Sequence, residues 1–209
     1  MKIMKKTILV VLVLTLVLSS SMVAMAAESE IDYSQWDSSA KYPSDIANTK
    51  YAASVGWLVD KLAVTGDTDG LYHPENSINR AEFSKMMAIA TNKTTNLEKL
   101  KTVDKFSDLS GYGWAKGYIN CVEEAGIVKG IGGDLFAPGN NVTYVEVIAM
   151  IVRVKPGLEA TVNGMGQWPD NYIKYAQMYN MIGDLVISDW NAPATKGDVA
   201  ILMYRNLPK

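Results

Sequence analysis

A chain of 209 residues with 20 Lys+Arg, 22 Asp+Glu and a formal net charge of −2 has no global electrostatic attraction for nucleic acid or an anionic membrane. A single Cys excludes an intramolecular disulfide framework, and a single His leaves no His/Cys cluster for zinc. Stability has to come from packing, and any anion site has to be local.

In chain order, Lys2, Lys5 and Lys6 precede an uncharged apolar run from Thr7 to Leu18, and Ala24-Met25-Ala26 follows as a small-x-small pattern. Residues 1–26 therefore read as a secretory signal peptide cleaved after Ala26. No Cys lies near that point, so no lipid-modified amino terminus is expected. No later apolar run approaches the roughly 20 residues of a membrane span. The protein is expected to be secreted. Residues 27–48 are rich in Ser and Asp and carry Tyr33, Trp36 and Tyr42. They are either a loose tether or a segment that packs back on the rest.

Self-comparison finds three repeats. Shifted by 64 positions, Val55–Ala90 lies on Ile119–Val154 without a gap. Leu71, Pro74 and Glu82 then fall on Leu135, Pro138 and Glu146. At a shift of 54, Trp114, Tyr118 and Ile119 meet Trp168, Tyr172 and Ile173. After a two-residue loss, Thr143, Glu146 and Arg153 meet Thr195, Asp198 and Arg205. The repeats span residues 49–92, 104–155 and 166–207, joined by polar linkers at 91–105 and 155–167.

Each repeat reads as helix, loop, helix, so the fold class is all-α. In the first helix Val55, Leu58, Val59 and Leu62 have the spacing of one helical face. Gly66, Gly70 and Pro74 punctuate the loop. The second helix begins near Asn79, Thr143 and Thr195. Its apolar stripe is Phe83, Met86, Met87 and Ala90 in the first copy and Val199, Leu202 and Met203 in the third. One helix pair cannot bury such a face alone; three can share a core. At helical spacing Trp57, Tyr118 and Tyr175 are expected in that core, with Trp114 and Trp168 divided between core and surface.

Thr143-Tyr144-Val145-Glu146 is a capping box, and Asn79-Arg80-Ala81-Glu82 and Thr195-Lys196-Gly197-Asp198 are variants of it. Glu82, Glu146 and Asp198 are thereby explained as caps, worth about 0.5–2 kcal/mol each. The residue after the cap is different. A cation there is mildly disfavoured by the helix dipole. Arg80 and Lys196 are therefore either solvated surface residues or part of an anion pocket made with free helix N–H groups.

The Asp67–Gly70 turn resembles part of a calcium loop, but the twelfth position is Ile78 rather than Glu. No metal and no cofactor is expected. His73 reads as an exposed turn residue. No catalytic residue emerges, and the protein is not expected to be an enzyme.

FSDLSGYGWAKGYINCVEEAGIVKGIGGDLFAP at Phe106–Pro138 and DTDGLYHPENSINRAEF at Asp67–Phe83 resemble the S-layer homology repeat of bacterial cell-surface proteins. Its hallmarks are an F-x-D-V start, a His-Trp-Ala helix entry, G-I-V-x-G, a D-G-x-F-x-P loop and an I-T-R-A-E-F helix start. The resemblance covers Tyr42 to Leu207. It implies a pseudo-threefold spindle with a central helical bundle and grooves between repeats. It also implies non-covalent binding of secondary cell wall polysaccharide, itself linked to peptidoglycan and often bearing a pyruvate ketal. By the same resemblance Arg80, Glu82, Gly70, Trp114, Trp168 and Lys196 are the candidate glycan-binding residues, with Arg80 the main anion ligand. The implied location is the cell wall or S-layer at the cell surface. Other surface proteins are the partners in the alternative, purely structural role.

The sequence also departs from the pattern. Tyr144 replaces the Arg in the second repeat. Gly197 sits inside the third repeat's helix, and DLVISDWNAP lacks D-G-x-F. Thr49-Lys50 stands where His-Trp is expected. One intact site at Arg80 and one partial site at Lys196 are anticipated.

Overall fold

The computed structural model describes residues 42–209; the expected signal peptide, residues 1–26, and most of the 27–48 segment lie outside the described residues. A 3-10 turn, Ser44–Ile46, leads to α1 (Ala52–Asp60), α2 (Arg80–Ala90), α3 (Leu97–Leu100), α4 (Gly113–Glu124), α5 (Tyr144–Arg153), α6 (Leu158–Asn163), α7 (Asp170–Met178) and α8 (Lys196–Asn206). Among the described residues there are isolated bridges but no strand, so the fold is all-α. None of these helices is long and apolar enough to cross a membrane.

The expected stripes are buried: Phe83, Met86, Met87 and Ala90 on α2, and Val199, Leu202 and Met203 on α8. Leu62 is a correction. Helix α1 ends at Asp60, Leu62 turns to φ +61, and its side chain is 73% exposed. It occupies the left-handed position that Gly126 takes in the second repeat. Trp57, Tyr118 and Tyr175 are half-buried rather than core. Trp57 packs edge-on against Tyr204, with ring centroids 5.8 Å apart.

Both linkers hold a short helix that the polar composition did not announce. Asn120 on α4 donates through Nδ2 to the carbonyls of Leu100 and Val103, tying down the α3 segment. Asn171 on α7 does the same for α6 through Val162. Of the amino-terminal segment, residues 42–48 pack back on the first repeat. Ile46 is fully buried, and Asp45 accepts the backbone N–H of Tyr72 and of His73 at 2.9 and 2.7 Å.

The repeats interlock in a cycle. The second helix of each packs on the first helix of the next: α2 on α4, α5 on α7, α8 on α1. At the start of these second helices Ile78 donates its N–H to Ala194 O, Ala194 to Val142 O, and Val142 to Ile78 O. All three residues are buried, and the three bonds of 3.1, 2.8 and 3.0 Å close on themselves. Gly197 belongs to this interlock: it faces Tyr51, which a larger residue would strike.

Two grooves between repeats

The helix starts show what the cation after each cap does. Asn79 and Glu82 form a complete capping box on α2, as Thr143 and Glu146 do on α5. On α8 the box is half made. Thr195 accepts the Asp198 N–H, while the Asp198 carboxylate takes the Tyr144 hydroxyl at 2.8 Å.

The next amides are not free, contrary to expectation. Arg80 N–H and Ala81 N–H donate to the carbonyls of Asn140 and Pro138 in the next repeat. Tyr144 and Val145 donate to Ala192 and Trp190, and Lys196 and Gly197 to Asn76 and Pro74. The cyclic interlock consumes the helix N-termini, so anion binding by those amides is excluded. What remains are the side chains.

Arg80 is only 8% exposed. Its Nε donates to Phe136 O at 2.9 Å and its Nη2 to Lys129 O at 2.8 Å, both in the second repeat. The guanidinium carbon lies 4.6 Å from the centre of the Phe136 ring. Nη1 has no partner among the described residues. Burial lowers the Arg80 pKa from its ordinary value, while the charges of Glu146 and Asp108 oppose that shift. Among the described residues the cation is thus held by neutral dipoles, with no carboxylate bound to it.

Arg80 lines a cavity of about 190 Å³ with Lys129, Ile131, Glu146, Arg153 and Trp168. Trp168 is 52% exposed and belongs to the third repeat, so three repeats contribute to one groove. Behind its wall Glu159 on α6 accepts from Arg153 Nε, Lys129 Nζ and the Tyr172 hydroxyl. Burial alone would raise the Glu159 pKa; the hydrogen bond and charge of Arg153, then Lys129, hold it lower.

The loop carrying Phe136 is fastened by Asp108, which accepts the N–H of Phe136 at 2.9 Å and of Ala137 at 2.7 Å. Asp45 does the same for the first repeat's loop. Sequence reasoning missed Asp108, Lys129 and Arg153. The signals were present, since Asp108 is the Asp of F-x-D, Lys129 is the variable position of G-I-V-x-G, and Arg153 recurs as Arg205.

A second groove repeats the plan between the third and first repeats. Its cavity of about 390 Å³ is lined by Lys196, Asp67, Glu82, Lys85, Met86 and Trp114, among others. Lys196 stands in the place of Arg80, and Trp114, 49% exposed, in that of Trp168. Its cation is satisfied differently: Lys196 Nζ lies 3.1 and 3.3 Å from the two Asp67 oxygens.

The candidates therefore divide. Arg80 and Trp168 meet in the first groove, and Lys196, Glu82 and Trp114 in the second. Gly70 lines neither; it is an exposed turn residue at φ +78 whose N–H donates to Asp67 O. At the remaining junction Tyr144 hydrogen-bonds Asp198, and Lys50 Nζ lies 3.4 Å from the same carboxylate.

The S-layer homology domain matches residues 44–84 and 105–148. The chain belongs to the S-layer homology family. The third helix pair lies outside the matched segments but carries the same interlock. The chain is 30% identical over 197 residues to the "Middle cell wall protein" of Brevibacillus brevis, covering 94% of this chain and 17% of that protein. It is 28% identical over 180 residues to the "Surface layer protein" of Brevibacillus choshinensis, covering 86% of this chain and 15% of that one. Over 112 residues it is 37% identical to "S-layer protein EA1" of Bacillus anthracis, covering 53% of this chain and 12% of that one. The chain thus spans under a fifth of the length of these relatives. S-layer homology membership and these relatives mark it as a secreted protein of the cell surface or cell wall.

Proposed function

We propose that this chain attaches non-covalently to the cell wall by binding secondary cell wall polysaccharide, with an anionic, pyruvate-bearing sugar seated in the first groove. The observation that carries this reading is the state of Arg80. A nearly buried guanidinium, bonded among the described residues to two carbonyls and no carboxylate, faces a groove shared with Lys129 and Arg153. A carboxylate placed there gains charge-assisted hydrogen bonds of a kind that neutral carbonyls do not supply. Trp168 offers the ring face on which a pyranose stacks. Lys196, Glu82 and Trp114 are the corresponding glycan contacts of the second groove. In this reading the protein is a binding module and not an enzyme.

The test is sedimentation of residues 27–209 with peptidoglycan that carries its polysaccharide, beside the same wall stripped of pyruvate. Wild type should sediment more strongly with intact wall than with stripped wall. Lys129→Gln, at an exposed lysine, and Trp168→Ala should both reduce binding without loss of fold. Equal sedimentation on both walls would remove pyruvate from the account.

A second reading is a structural role through protein contacts. Met178 and Tyr179 are each about 60% exposed, and Val186 is 94% exposed, all in the third repeat. Indifference to the wall, with a surface protein co-purifying through those residues, would favour it.

A further inference from the structure

We propose that the second groove takes an uncharged sugar, and that Asp67 sets this selectivity by neutralising Lys196. The inference rests on reading the first groove as the anion site, against which the second is defined.

The two grooves share a plan but not a charge. Three cations, Arg80, Lys129 and Arg153, line the first against the single acid Glu146. Two cations, Lys85 and Lys196, line the second against the two acids Asp67 and Glu82. Counting Glu159, which stands behind the first groove, still leaves that groove one cation ahead. The acids that fasten the two loops, Asp108 and Asp45, are counterparts and do not alter the comparison.

The bonding separates them further. Arg80 is bound by two carbonyls and keeps its full charge for a ligand. Lys196 is bound by a carboxylate and is only 15% exposed, so an incoming anion must displace or face Asp67. A like charge at that distance costs affinity. An uncharged pyranose meets no such opposition. It finds the Trp114 face, an apolar floor of Ile78 and Met86, and Asp67 oxygens with lone pairs left for hydroxyl groups. The cavity is about twice the size of the first, about 390 against 190 Å³, within the range of small-molecule sites.

The two sites predict opposite responses to one chemical change in a sugar. The experiment follows the indole N–H signals of Trp114 and Trp168 in isotopically labelled residues 27–209, assigned with Trp114→Phe and Trp168→Phe. The probes are a methyl N-acetylhexosaminide carrying a pyruvate ketal and its unmodified parent. In wild type the parent should move the Trp114 signal, and the ketal should move Trp168 and leave Trp114 in place. Asp67→Asn should make Trp114 respond to the ketal at concentrations about tenfold below those at which the wild-type signal stays in place. Asp67 is half exposed and its turn is closed by backbone bonds, so this variant keeps its fold, which the spectrum itself reports.

A Trp114 signal that answers the ketal equally in wild type and Asp67→Asn overturns the proposal, as does one silent to the parent. If Trp168 ignores the ketal, the anion reading of the first groove fails. The Trp114 responses then still decide this inference.

Discussion

Tyr51 packs on Gly197 so closely that a Cβ on the glycine would stand 2.5 Å from Cε1 of the ring. The glycine is therefore a contact surface and not a flaw in α8. Helix propensity alone favours alanine over glycine by about 1 kcal/mol. We expect the reverse: Gly197→Ala should destabilise by about 1–3 kcal/mol, as overpacking does. In a Tyr51→Ala background the same change should become neutral or stabilising. A urea-denaturation double-mutant cycle measures this, and additive effects would dismiss the contact.

Arg80 holds two repeats together as well as facing the groove. Arg80→Ala removes two hydrogen bonds from a charged donor, each worth about 1.5–3 kcal/mol. A stability loss of about 2–4 kcal/mol is expected after water replaces part of them. Arg80→Ala wall-binding data thus need a melting curve beside them. A variant as stable as wild type would show that these bonds contribute little.

Asp108 and Asp45 act on the grooves without lining them. Asp108→Ala leaves the Phe136 and Ala137 amides unpaired and frees the carbonyl that orients Arg80. It should weaken the ketal response at Trp168 and leave Trp114 unaffected. Asp45→Ala, which frees the Tyr72 and His73 amides, should do the opposite. Each should cost about 1–3 kcal/mol of stability for unpaired amides. Equal effects on both tryptophans would mean general loosening.

Tyr144 gives an alkaline signature. Burial first, then its bond to Asp198, pushes its pKa up to about 12. The unfolded hydroxyl ionises near pH 10. This group's contribution is complete below pH 10 and is lost as pH rises toward 12. Tyr144→Phe should lessen the fall in urea midpoint between about pH 10 and 12. A residual slope should persist, because the pKa values of Tyr51, Tyr72 and Tyr172 are also raised by burial. An unchanged slope would mean that Tyr144 is solvated.

The helix pairs were legible in the sequence because their stripes recur in register: Phe83 on Val147, Met87 on Ile151. Caps were legible because Asn79 and Glu82 act within one turn. The pairing of Lys196 with Asp67 was not, since the residues are far apart in the chain and meet only when the third repeat closes on the first. The same holds for the amides of Arg80 and Ala81. Local pattern showed them as free helix donors, and only the tertiary arrangement supplies Asn140 and Pro138 as acceptors. Leu62 fits the apolar spacing of α1, yet the turn at its end carries it outward.

The cycle through Ile78, Val142 and Ala194 sets the copy number of the repeat. An open stack grows by adding units at its ends and needs special caps there. A ring has no ends: every unit is both donor and acceptor, and a fourth would have to open it. Duplication therefore cannot lengthen this grooved surface one repeat at a time, and diversity must arise by changing residues within a groove. The three junctions here carry Arg80 with bare carbonyls, Lys196 with Asp67, and Tyr144 with Asp198. The shared backbone ring keeps the fold while the grooves drift apart in chemistry.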